Sequence, residues 1–158
     1  MSLEEKLKKI SLNKKKRDAE IDWDERRDTW IKQLETLYSN VEKWLKSYID
    51  KNYISLHSYE ISLTEEHMGT YPVNVFELDL GDPLVVFRPI GKNIIGADGR
   101  VDVYVSGHPD DKKMLILTED DEKQRSHWEL WEPKNKKDRK AFNPETLERT
   151  LEDWLQYY

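Results

Sequence analysis

The chain has 158 residues, 37% charged and 37% hydrophobic, with a formal net charge of −6 and no cysteine. That length suits one core, and the lack of cysteine excludes disulfides, thiolate nucleophiles and cysteine-type zinc sites. No run approaches the roughly 18 apolar residues of a membrane span, and no apolar stretch near the N-terminus marks a signal peptide, so a soluble, cytoplasmic protein with no membrane partner is expected.

Charge is unevenly placed. Lys6, Lys8, Lys9, Lys14, Lys15, Lys16 and Arg17 put +7 into twelve residues without an acid, which leaves −13 for the remainder. The body is acidic and the arm before it basic, a separation that steers the choice of partner. Six Trp, eight Tyr and three Phe supply enough apolar area for a thin, aromatic-rich core in so polar a chain.

In chain order, Ser2 and Glu5 have capping-box spacing, and Leu3, Leu7 and Ile10 form one apolar stripe. From residue 11 to 21 the lysine run shows no apolar periodicity and reads as a hinge or frayed helix. Residues 1–21 are thus a basic arm, a short helix or a partly disordered segment, and 22–158 a single α+β domain. Asp22 followed by Glu25 opens a second helix, in which Trp23, Trp30, Leu34, Leu37, Val41, Trp44 and Tyr48 recur at seven and then at four and three. Ile31, Tyr38 and Leu45 widen the stripe, as suits a helix lying on a sheet. The pattern predicts helix from 23 to about 51, on the order of 40 Å long. Such a helix outruns the strands beneath it, and its start overhangs.

After Asn52, short alternating runs broken by Gly and Pro predict antiparallel strands over 53–132. Tyr71, Val73 and Val75 change phase to Phe76, Leu78 and Leu80, the mark of a bulge or of a strand bent between two faces. Leu84 to Phe87 suits a central strand. Asp98-Gly99, between Ile94-Ile95 and Val101 to Val105, predicts a type I′ hairpin turn, and His108-Pro109-Asp110-Asp111 reads as a turn whose acids cap and solvate. Met114 to Leu117 and His127 to Trp131 complete six or seven strands. Asn143 as N-cap and Pro144 at the first helical position start a last helix with Leu147, Leu151, Trp154, Leu155 and Tyr158 on its apolar face. The fold class is α+β: an antiparallel meander sheet of six or seven strands, flanked by a long N-terminal helix and a C-terminal helix.

No spacing specifies a catalytic residue, a metal or a cofactor. His57, His67, His108 and His127 include no pair at ligand spacing. Gly91, Gly96 and Gly99 lack the following helix of a phosphate loop, and no Gly-x-Ser-x-Gly elbow is present. Asp102, with Arg100 on its face, is the one carboxylate in a setting that suits a hydrolase base, though a solvent-facing position is the better expectation. Glu77 and Asp79 share that expectation.

Two surfaces remain. Trp23, Trp30, Leu34 and Tyr38, at the overhanging end of the long helix, are residue types enriched at interface hot spots and are the expected partner-binding set, with ordinary core packing as the alternative. Lys14, Lys15, Lys16 and Arg17, with Lys136, Lys137 and Arg139 of a basic 134–140 loop and the nearby Trp131, combine phosphate neutralisation with base stacking if they converge. The expected function is therefore a non-catalytic, acidic, protein-binding module of the immunity or antitoxin type, or an accessory subunit, meeting a basic partner or a second copy through the long helix. A nucleic-acid-binding accessory protein is the alternative, disfavoured by the acidic body, and a hydrolase at Asp102 the weaker one.

Overall fold

A computed structural model describes residues 2–93, 97–120 and 125–158. Three helices, α1 (Leu3–Glu20), α2 (Trp23–Trp44) and α3 (Lys46–Asp50), precede seven strands, and α4 (Pro144–Tyr157) follows them. The strands are β1 (Ser55–Glu65), β2 (Gly69–Asp79), β3 (Leu84–Gly91), β4 (Gly99–Val105), β5 (His108–Asp120), β6 (Arg125–Glu132) and β7 (Asn135–Ala141). They form one antiparallel sheet in sequence order, an α+β meander. No helix among the described residues is long and apolar enough to cross a membrane.

Local chemistry explains the helix starts. Ser2 Oγ accepts the Glu5 amide at 3.2 Å, and the Asp22 carboxylate accepts the Glu25 amide at 3.0 Å. At α4 the cap is reciprocal, since Asn143 Oδ1 accepts from Thr146 N at 2.9 Å and Thr146 Oγ1 from Asn143 N at 3.0 Å. α1 runs on through the lysines to Glu20, past the hinge or frayed helix expected from residue 11. Its lysines are good helix formers, and a helix standing in solvent has no need of a continued apolar stripe. The break comes later, at Ile21 and Asp22, both extended. The single helix predicted over 23 to about 51 is interrupted at Leu45 and resumes as α3; Asn52, at φ 62°, ends it.

α2 buries Trp30, Leu34, Leu37 and Val41 against the sheet, followed by Leu45. Each such side chain contributes about 1.5–3 kcal/mol relative to exposure. The facing strand residues are Leu78, Val85, Phe87, Val101, Val103, Val105, Leu115 and Leu117, and Leu147, Leu151 and Trp154 of α4 join the same core. Both long packed elements therefore share one face, because strand residues alternate sides. The phase switch at Val75–Phe76 is present in the burial of β2, yet β1 pairs with β2 without a register shift from Ser55↔Asp79 to Glu65↔Gly69. No bulge accompanies the switch on the β1 side.

Three strand-level expectations are corrected. Gly99 is not a hairpin-turn residue: it lies in β4, opposite Leu117, without a positive φ. A Cβ on it would fall 2.5 Å from Trp30 Cζ3, so the glycine serves close helix–sheet approach. The other arm of that expected hairpin, Ile94-Ile95, lies outside the described residues. The turn expected at His108–Asp111 sits earlier, at Ser106–Gly107, where Gly107 has φ 85°. His108 already pairs with Val105, and the register then jumps to Val103↔Lys113, so Pro109 to Lys112 bulge from the ladder. Finally, the basic 134–140 segment is no loop. It is the edge strand β7, whose pairing with β6 overrides its poor strand propensity.

Gly99→Ala is expected to destabilise the protein by about 1–3 kcal/mol through overpacking, and Trp30→Ala by about 3–5 kcal/mol through the cavity it leaves. Urea denaturation followed by far-UV circular dichroism measures both; a neutral Gly99→Ala removes the close-approach account.

Candidate functional site

Of the four residues expected to meet a partner, Trp30 and Leu34 lie in the core, with Trp30 fully enclosed. Tyr38 is half-buried, stacked on Phe76 at 4.8 Å, and its hydroxyl donates to the Asn74 carbonyl at 2.7 Å. Burial pushes its phenol pKa upward. Trp23 is half-buried against His67, rings stacked at 4.8 Å. The expected overhang is thus corrected: the β1–β2 hairpin extends under the start of α2, and core packing absorbs the stripe.

The same end of the sheet holds a polar cluster. Lys92, 3% exposed, donates from Nζ to Glu119 Oε1 at 2.8 Å, and Gln33 of α2 donates to the same oxygen at 3.3 Å. Glu65 Oε1 accepts the backbone amides of Lys92 and Asn93, each at 2.8 Å, while its other oxygen accepts the Tyr71 hydroxyl. These bonds tie α2, the β1–β2 hairpin, the end of β3 and the end of β5 into one latch. Apart from Gln33 Oε1, which is buried without a partner, its donors and acceptors are spent on each other, which suits cohesion rather than chemistry.

On the opposite, helix-free face, directly opposed residues form a row across five strands: Arg88, Asp102, Met114, Trp131 and Arg139. Asp102 does not face solvent as expected. It is 5% exposed and takes Arg100 Nε at 2.7 Å, Arg100 Nη2 at 3.1 Å and Lys112 Nζ at 3.4 Å. Neighbouring long side chains shield this row where no helix does. With two cations on its oxygens Asp102 acts as a cross-strand tie. Among the described residues no group of three or more His, Asp or Glu could hold a metal ion.

The basic residues lie on two separate elements. Lys14, Lys15 and Lys16 are exposed on α1, as is Lys137 on β7. Arg17 and Lys136 belong to α1 and β7 by backbone. The Arg139 guanidinium lies 4.0 Å over the Trp131 ring, occupying a face on which a base would stack.

An apolar surface near the C-terminal helix is also open. Between α3 with the chain leading into β1 on one side and α4 on the other lies a cleft of about 330 Å³, lined by Leu45, Tyr48, Tyr53, Ile54, Leu80, Leu151 and Leu155. Glu148 and Glu152, one turn apart on α4, also line it. Glu148 Oε1 accepts from the Tyr48 hydroxyl at 3.4 Å, and among the described residues neither carboxylate has an ion pair. Tyr48, Tyr53 and Leu155 leave large apolar area in water there. The chain matches no protein-family model, and neither curated proteins nor solved structures yielded a match. Sequence reasoning missed the cleft because its walls come from three distant segments. The only local signal was Tyr53, an aromatic stranded between helix and strand.

Two outcomes check these assignments. Asp102→Asn leaves Arg100 and Lys112 facing each other and is expected to cost about 1–3 kcal/mol in denaturation, less than a fully enclosed pair because both cations reach solvent. Lys92, the largest cause, holds the Glu119 carboxyl below its ordinary value near 4.5, so this ion pair stabilises fully above that pH and is lost as pH falls through the depressed value. An acid titration of Tm should therefore show a smaller loss below about pH 4.5 in Glu119→Gln than in the wild type. Identical acid profiles would remove Glu119 as a contributor.

Proposed function

We propose that the protein is a non-catalytic binding module that seats a basic, amphipathic helical segment of a protein partner in the α3–α4 cleft. The observation carrying this reading is an apolar floor beside two carboxylates that have no ion pair among the described residues. A helix laid there dehydrates its apolar stripe on the tyrosines and leucines and sets its lysines on Glu148 and Glu152, the helix-in-groove mode of recognition. The volume lies at the low end for ligand pockets, about 300–1,000 Å³, and suits a few aliphatic side chains. The −9 carried by residues 22–158 favours approach by a cation and disfavours an acidic partner. This is the chemistry of an accessory subunit, or of an immunity- or antitoxin-type protein that covers a basic surface.

The test uses a designed helical peptide with leucines at i, i+4 and i+7 flanked by lysines, followed by fluorescence anisotropy. Saturable binding that weakens with salt, and falls about tenfold or more in Glu148→Lys/Glu152→Lys, is expected. Binding indifferent to those reversals, or none, sinks the proposal.

A further inference from the structure

The chain itself carries a segment of the chemistry the cleft requires. On α1, Leu3, Leu7 and Ile10 recur at four and three and are 72%, 56% and 62% exposed. Lys6, three residues from Leu3, and Lys14, four from Ile10, lie on the same face. The stripe is therefore apolar with lysines beside and beyond it, the complement of an apolar floor beside Glu148 and Glu152. Nothing among the described residues covers it.

A molecule cannot fill its own cleft this way. The cleft begins at Leu45, 24 residues from the α1–α2 junction at Ile21, or about 36 Å along a helix. In whatever direction α1 points from that junction, Ile10 lies within about 17 Å and Leu3 within about 27 Å of it. Folding back along α2 would also lay the stripe on Asp28, Lys32, Glu35 and Glu42, which offer no apolar seat. The occupant must come from another molecule.

We infer that the cleft receives α1 of a second copy of this chain, each molecule donating its helix to the other. The inference rests on the reading that the cleft binds a basic amphipathic helix. Reciprocal donation uses the same two surfaces on both partners and closes as a two-fold dimer, so it ends at two copies. Salt bridges between Lys6 or Lys14 and Glu148 or Glu152 would set the register, while Leu3, Leu7 and Ile10 supply the dehydrated area.

Sedimentation equilibrium on the full chain tests this, with circular dichroism and tryptophan fluorescence to verify folding of each variant. A monomer–dimer equilibrium weakened by salt is expected. Leu7→Asp/Ile10→Asp, Lys6→Glu/Lys14→Glu and Glu148→Lys/Glu152→Lys should each weaken it about tenfold or more. A chain carrying all four charge reversals should regain association, which mere surface damage would not produce. A wild type that stays monomeric while the designed peptide still binds overturns the second copy and leaves the cleft with a foreign segment. Monomer without peptide binding overturns both readings. A dimer indifferent to these substitutions belongs to another surface and overturns this one.

Discussion

A close approach between helix and sheet, Trp30 of α2 over Gly99 of β4, is the constraint around which the molecule is arranged. The indole occupies the space a side chain on Gly99 would need, and Trp128 of β6 lies beside it with ring centroids 6.0 Å apart. With that point set, the helical repeat places Leu34, Leu37, Val41 and Leu45 successively along the same face. It also brings Gln33, one turn on, within reach of Glu119. Tight apolar contact thus carries the position of α2, and the buried ion pair of Lys92 rides on it. Such a pair is weak evidence for stability on its own and acts better as a specifier of arrangement.

Charges in this protein fall into two groups. Lys92–Glu119, Arg100–Asp102–Lys112 and Lys113–Glu132 are satisfied inside the chain; the first closes off the end of the sheet, the second its far face, and the third lies on the helix-bearing face beside α4. Glu148 and Glu152 at the cleft, and the lysines of α1, carry no such partner among the described residues. The proposed recognition draws on the second group, whose charges need not give up an existing ion pair on binding. Of the residues that looked functional in the sequence, Asp102 belongs to what is already satisfied and Trp30 to the core.

What was legible was local. Asp22 and Asn143 announce their helices because capping depends on neighbours three residues away, and the α2 stripe and the phase switch in β2 show as periodicity. What was hidden depends on the third dimension. A glycine required by an indole looks, in sequence, like one required by a turn, so Gly99 was misplaced. Asn135–Ala141 has strand pairing only because β6 supplies it. The cleft joins residues near 50, 80 and 150, and no spacing rule connects them. The exposed stripe of α1 was readable, whereas its lack of any cover was not.

Because every strand pairs with its immediate neighbour in sequence, each closes only a short loop and the sheet can grow one hairpin at a time. α2 departs from that economy. Synthesised before any strand, it stays amphipathic and unanchored until β4 arrives to take Trp30, and α4, made after all seven strands, completes one wall of the cleft. On the proposed assembly, the emerging chain displays α1 well before a copy would receive it. Association of two copies would then wait on the folding of α4, which makes that helix its gate.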